Sequence, residues 1–182
     1  MRTFIVRRAF ERVCVLLTVV VMVLGAGVVR VAASGVVPQG DIKIQNAHSG
    51  LCLSPAGGGV GVNVDIVQFT CDEDPSRLWT FRVVKGENHM VQIVNVQSGL
   101  CLTIAGGSTE RNVVSVQYTC DADPSRKWNY TELDGGVTFR FINLHSGLCL
   151  TVAGGGTDRN TRAVQFPCDA DPSRNWKVIF GR

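Results

Sequence analysis

The chain has 182 residues, of which 45% are apolar and 18% charged, with a formal net charge of +3. That length carries one domain with a sizeable core. The positive charge does not mark a nucleic-acid binder: five of the 18 basic residues but only one of the 15 acidic ones lie in the first 34 positions, which leaves 13 against 14 and no basic run with interleaved aromatics.

Arg2, Arg7, Arg8 and Arg12 precede an apolar run from Val13 to Val29, and small residues follow at Ala32, Ala33 and Ser34. A basic start, an apolar middle and a small-residue end read as a secretory signal peptide over residues 1–34. The protein is therefore expected to be secreted and extracellular. The alternative is an uncleaved anchor, but the run is only 17 residues long and contains Gly25 and Gly27, at the short edge of a span. A membrane is expected as a partner only through this segment, before cleavage.

From residue 35 the chain is expected to form one domain of three repeats, about 42–84, 91–133 and 139–182. The first copy holds Leu51-Cys52-Leu53, Gln68-Phe69-Thr70-Cys71 and Asp74-Pro75-Ser76-Arg77-Leu78-Trp79. The second holds Leu100-Cys101-Leu102, Gln117-Tyr118-Thr119-Cys120 and Asp123-Pro124-Ser125-Arg126-Lys127-Trp128. The third holds Leu148-Cys149-Leu150, Gln165-Phe166-Pro167-Cys168 and Asp171-Pro172-Ser173-Arg174-Asn175-Trp176. The period is 49 residues, then 48, and the two cysteines of each copy are always 19 positions apart. A fixed period dictates the architecture and places any function at equivalent points in each copy.

Each copy reads as four short strands. Ile42-Lys43-Ile44, Val91-Gln92-Ile93 and Phe139-Arg140-Phe141 alternate apolar and polar residues at the period of a strand. Asn46, Asn95 and Asn143 follow, then Ser-Gly turns at Ser49, Ser98 and Ser146. The second strand carries Leu-Cys-Leu, a glycine-rich loop follows, the third strand runs into the second cysteine, and the fourth starts at the tryptophan. No helix is expected, and the Asp-Pro-Ser-Arg segments read as single turns with Asp capping and Pro at the first position. Propellers need about four blades or more. Twelve strands in three copies fit an all-β β-trefoil, a six-stranded barrel with three hairpins capping one end, and closure removes the sheet edges.

Six cysteines remain once Cys14 leaves with the leader, and they allow 15 pairings. The repeat selects Cys52–Cys71, Cys101–Cys120 and Cys149–Cys168. Each would close a loop of about 20 residues, worth about 3 kcal/mol in the chain-entropy model. Zinc pairs come two to four residues apart and none here do. No metal or other cofactor is expected.

The repeats resemble the ricin B-type lectin family of β-trefoils, in a form similar to that of secreted actinobacterial proteins. The resemblance covers Ile42–Arg182. It rests on Ser-Gly-Leu-Cys-Leu, the paired cysteines, the aromatic two residues before the second cysteine and the tryptophan eight beyond it, three times in register. It implies a non-catalytic carbohydrate-binding module, expected to be a monomer, with a glycan or polysaccharide as partner. Family pockets use an Asp two residues after the first cysteine, an aromatic before the second and an Asn-Gln pair ahead of the tryptophan. Here the aromatic stands as Phe69, Tyr118 and Phe166, but Ser54, Thr103 and Thr151 replace the Asp. Ser76-Arg77, Ser125-Arg126 and Ser173-Arg174 replace the Asn-Gln pair. These departures argue against ordinary galactose-type recognition and leave the fold assignment untouched.

The candidate carbohydrate-binding residues are Thr103, Asn112, Tyr118 and Ser125 in the second repeat, Thr151, Asn160, Phe166 and Ser173 in the third, and Phe69 in the first. The loops Glu110-Arg111-Asn112 and Asp158-Arg159-Asn160 have only Gly61-Val62-Asn63 as their first-repeat counterpart, and Pro55 replaces Ile104 and Val152. The second and third repeats are therefore expected to bind, weakly and multivalently, with the first degenerate. Gln68, Gln117 and Gln165 alternate with their aromatic neighbours along the strand and read as structural. Arg77 with Asp72 and Asp74, and their counterparts, read as an ion-paired clamp, or as a contact for an anionic sugar. Trp79, Trp128 and Trp176 are expected in the core. No nucleophile–base order, phosphate loop or metal motif marks an enzyme. A trefoil interaction protein or protease inhibitor, acting through a surface loop without a sugar ligand, is the alternative function.

Overall fold

The computed structural model describes residues 38–87 and 89–180. The signal-peptide expectation for residues 1–34 lies outside the described residues. Twelve strands are formed: β1 (Ile42–Asn46), β2 (Cys52–Pro55), β3 (Ile66–Phe69), β4 (Trp79–Val83), β5 (Met90–Asn95), β6 (Cys101–Ile104), β7 (Ser115–Tyr118), β8 (Trp128–Leu133), β9 (Thr138–Asn143), β10 (Cys149–Val152), β11 (Ala163–Phe166) and β12 (Trp176–Phe180).

The pairing closes on itself. β1 pairs with β12 and β4, β4 with β5, β5 with β8, β8 with β9, and β9 with β12, all antiparallel. These six strands form the barrel. β2–β3, β6–β7 and β10–β11 are four-residue hairpins in identical register, each pairing the first cysteine with the aromatic: Cys52 with Phe69, Cys101 with Tyr118, Cys149 with Phe166. The isolated bridges Asp65–Val116, Val67–Arg162 and Val114–Val164 tie the three hairpins to one another. The fold is the β-trefoil expected from the threefold period.

The core is built from the inward side of the alternation. Ile42, Ile44, Val91, Ile93, Phe139 and Phe141 come from the barrel strands, and Leu53, Leu102 and Leu150 from the hairpins. Trp79, Trp128 and Trp176 are 0% exposed. Each indole donates its N–H to a leucine carbonyl of its own hairpin, Leu53, Leu102 or Leu150, at 3.0 Å, so burial leaves no donor unpaired. The outer side of the barrel is more covered than the alternation suggests. Lys43 is buried and pairs with Glu73 at 2.7 Å, and Gln92 donates to the Asp121 carbonyl.

The third strands stop two residues short of the second cysteine. The bridges are nonetheless the three expected, with Cα–Cα distances of 5.0, 5.1 and 5.1 Å. Besides the three Pro-Ser-Arg turns, the glycine-rich loops at Ala56–Gly58, Ala105–Gly107 and Ala153–Gly155 also wind into single 3-10 turns.

Side chains join the repeats in one rotational sense. Asn46 donates to the Ser173 carbonyl, Asn95 to that of Ser76 and Asn143 to that of Ser125, each reaching the turn of the preceding repeat. Their carboxamide oxygens accept from the backbone N–H of Ser49, Ser98 and Ser146, which sets the Ser-Gly turns.

Candidate functional site

Each Asp-Pro-Ser-Arg segment makes a rigid polar corner. Asp74, Asp123 and Asp171 cap the turns, and their carboxylates accept from the backbone N–H of Ser76, Ser125 and Ser173 at 2.9, 2.8 and 2.8 Å and from the serine hydroxyls at 2.7 Å. The serine hydroxyl first, then its backbone N–H, and then the nearby arginine hold the three carboxyls below the usual aspartate range. Pro at the first position fixes the entry of the turn.

The arginine then folds back over the hairpin aromatic. The guanidinium carbon of Arg77 lies 4.7 Å from the Phe69 ring centre, that of Arg126 4.9 Å from Tyr118 and that of Arg174 4.9 Å from Phe166. Two carboxylates neutralise each arginine. Arg77 meets Asp72 and Asp74 at 3.2 and 3.4 Å, Arg126 meets Asp121 and Asp123 at 3.2 and 3.0 Å, and Arg174 meets Asp169 and Asp171 at 2.8 and 3.2 Å. The expected clamp is present, and it doubles as the wall of a pocket.

One pocket opens beside each aromatic, about 200 Å³ in the first repeat, 380 Å³ in the second and 260 Å³ in the third. In each, the capping aspartate and the arginine face the aromatic, and the left-handed glycines of the Ala-Gly-Gly turn form a low wall. At Gly107, φ is +61°, so a side chain there would be strained.

The asparagine of each pocket comes from another repeat. Asn63 of the first repeat lines the second pocket, Asn112 of the second lines the third, and Asn160 of the third lines the first. This corrects the expectation that Asn112 and Asn160 serve their own repeats. The three hairpins converge on the threefold axis, so the loop within one hairpin reaches over the next. It follows that the first pocket is flanked by Asp158-Arg159-Asn160, whereas the uncharged Gly61-Val62-Asn63 flanks the second.

The glutamines hold those loops. Gln117 donates to the carbonyls of Gly59 and Gly61 at 2.8 Å, Gln165 to Ser108 and Glu110, and Gln68 to Gly156 and Asp158. Their main-chain carbonyls accept from the N–H of Asn63, Asn112 and Asn160 at 2.8 Å. The asparagines are thereby fixed at φ of 62°, 65° and 66°, a left-handed conformation that asparagine tolerates.

Among the other candidates, Thr103 and Ser125 share a buried contact of 3.1 Å, and Thr151 and Ser173 one of 2.9 Å. Ser54 and Ser76 are the first-repeat pair, at 3.2 Å. Ser54, Thr103, Ser125 and Thr151 line the pockets, whereas the buried Ser76 and Ser173 are not among the lining residues, and the turn serines Ser76, Ser125 and Ser173 donate their hydroxyls to the capping aspartates. The candidate aromatics Phe69, Tyr118 and Phe166 each line one of the three pockets. As site residues, sequence reasoning missed Asp74, Asp123, Asp171 and Asn63. The threefold recurrence of Asp-Pro-Ser-Arg was the available signal, but its aspartates were read only as partners of the arginine, whether that arginine braced the turn or met an anionic sugar.

A ricin-type β-trefoil lectin domain-like family matches residues 77–166 and 132–180. The chain belongs to this family. No curated protein matches the chain in sequence. Among solved structures, an exo-β-1,3-galactanase from Clostridium thermocellum is 26% identical with a TM-score of 0.73, over 77% of this chain and 30% of that one. The designed threefold-symmetric protein ThreeFoil is 19% identical with a TM-score of 0.72, over 76% and 97%. The ricin B-like lectin of Macrolepiota procera, determined in complex with lactose, is 17% identical with a TM-score of 0.67, over 80% and 99%. Family membership supports a carbohydrate-binding role.

Proposed function

We propose that the chain is a secreted, non-catalytic carbohydrate-binding module that holds glycan or polysaccharide through its repeat-related pockets. The observation that carries this is the recurrence, in all three pockets, of an aromatic, an ion-paired carboxylate–guanidinium corner and a clamped asparagine. The capping carboxylates are about half exposed, so lone pairs remain for a ligand. A sugar hydroxyl can donate to such a carboxylate while a neighbouring hydroxyl accepts from a fixed N–H. The corner thus supplies, from the turn, the acceptor that Ser54, Thr103 and Thr151 no longer supply from the strand. Three modest pockets on one rigid body suit a polymer better than a free monosaccharide. The three disulfides support an oxidising, extracellular setting.

The test is retention on immobilised polysaccharides and a glycan array, run beside a protease-inhibition panel. Retention on at least one glycan, weakened by Asp123→Ala in a folded protein, is expected. Inhibition of a protease without any glycan retention would favour the surface-loop reading instead.

A further inference from the structure

The three pockets share their walls but not their rims. The loop residue preceding each clamped asparagine is Arg159 at the first pocket, Val62 at the second and Arg111 at the third. The backbone there is the same in all three, pinned by a glutamine and turned at the asparagine. Only the side chain differs. We propose that this residue sets the ligand class of the neighbouring repeat's pocket: Arg159 and Arg111 fit the first and third pockets to carboxylate-bearing sugars, and Val62 fits the second to a neutral one. The inference rests on the carbohydrate-binding reading above.

Charge accounting carries it. The wall arginines Arg77, Arg126 and Arg174 each face two carboxylates, so each corner has a net charge of −1 and no guanidinium left over for an acid. Arg159 and Arg111 are exposed and pair with no carboxylate among the described residues. The Arg159 guanidinium carbon lies 5.6 Å from the Phe69 ring centre, which brings a free cation to the aromatic of the first pocket. Arg111 occupies the same register, with Asn112 held on the Gln165 carbonyl as Asn160 is on Gln68. A guanidinium matches a sugar carboxylate bidentately. In the loop over the second pocket Val62 is 50% exposed and Val60 56% exposed, so that rim is apolar; its cavity is the largest of the three related pockets. Asp158 and Glu110 adjoin the two arginines in sequence and oppose an acid, which keeps the expected gain modest.

The experiment titrates the ¹⁵N-labelled protein with trigalacturonate, with its methyl ester and with neutral galactotriose, following the amides of Asn160, Asn63 and Asn112 as reporters of the first, second and third pockets. The acid should shift Asn160 and Asn112 and leave Asn63 unmoved, and the ester should lose that preference. Arg159→Ala should weaken acid binding at the first pocket by about two- to fivefold, the worth of a solvent-exposed charge pair, and Val62→Arg should create a response at Asn63. Equal binding of acid and ester, or an unchanged Arg159→Ala, overturns the proposal. Galactotriose binding without any acid response overturns it while the lectin reading stands. Absence of binding to these probes and to a wider glycan panel sinks both.

Discussion

Asp123 has three roles in one carboxylate: it caps a turn, neutralises Arg126 and lines the second pocket. Replacing it with alanine should cost about 1 kcal/mol as a lost cap and weaken glycan binding at that pocket. Its pH dependence has a definite sign. The Ser125 hydroxyl and N–H, with Arg126, lower the folded-state pKa below the ordinary value of 3.8. The carboxylate's contribution is therefore complete above that value and is lost as pH falls through the lower, folded-state one. Urea unfolding of wild type and Asp123→Ala should show a constant stability gap from pH 7 down to about pH 5, closing only well into acid. A gap already closed at pH 5 would contradict this. Trp128 belongs to a different kind of residue. It is fully buried, with its N–H on the Leu102 carbonyl, so Trp128→Ala should cost about 3–5 kcal/mol. A stable variant that has lost only ligand binding would show that the indole is a binding platform. The tryptophans and cysteines were legible in the sequence because each repeats at fixed spacing and has one physical use. Asp123 was half legible, since a cap and a pocket wall leave the same mark.

At the scale of the element, the four strands of each repeat could be read from period-two alternation and punctuating Ser-Gly turns, because in a closed barrel one face of each strand must be apolar. The bridges followed from their spacing. The Ala-Gly-Gly 3-10 turns could not be read that way: glycine permits a left-handed step without saying that the chain takes it. Nor could the owner of each loop be read. Alternation along β7 tells which side Gln117 faces, and says nothing about the loop of another repeat lying there. Gln117 now has a definite positioning role, holding the Gly59 and Gly61 carbonyls and, through its backbone, Asn63. Gln117→Ala should destabilise the fold by about 1–3 kcal/mol, as for buried hydrogen-bonding groups left without partners. It should also weaken binding at the second pocket, without touching a ligand, and spare the third. Pocket-resolved titration checks this: equal losses at all pockets would mean general softening of the fold.

For the whole molecule, the threefold period had already implied a trefoil, and the pairing closes the barrel without an edge. What the period concealed is rotation. Every pocket borrows its asparagine from the preceding repeat, so a repeat that looks poor in its own residues can still own a complete pocket. The first repeat is the case in point: Phe69, Asp74 and Arg77 are its own, and Asn160 comes from the third. The expectation that it is degenerate rested on a loop that serves the second pocket instead, and on Pro55, which does line the first. Single substitutions Phe69→Ala, Tyr118→Ala and Phe166→Ala should therefore each weaken retention on a polysaccharide, with Phe69→Ala no milder than the others. Each also removes the ring against which an arginine packs, so thermal unfolding must accompany the binding measurement. Pairs of substitutions should lose more than either alone, because two pockets on one rigid body raise the effective concentration of a polymer at the second once the first is filled. For a short oligosaccharide that cannot span two pockets, each substitution should remove only its own site. If the polymer is held equally well by the triple variant, in a protein that still unfolds cooperatively, the ligand is bound elsewhere on the barrel. The repeated corner would then serve only to brace the tryptophan behind it.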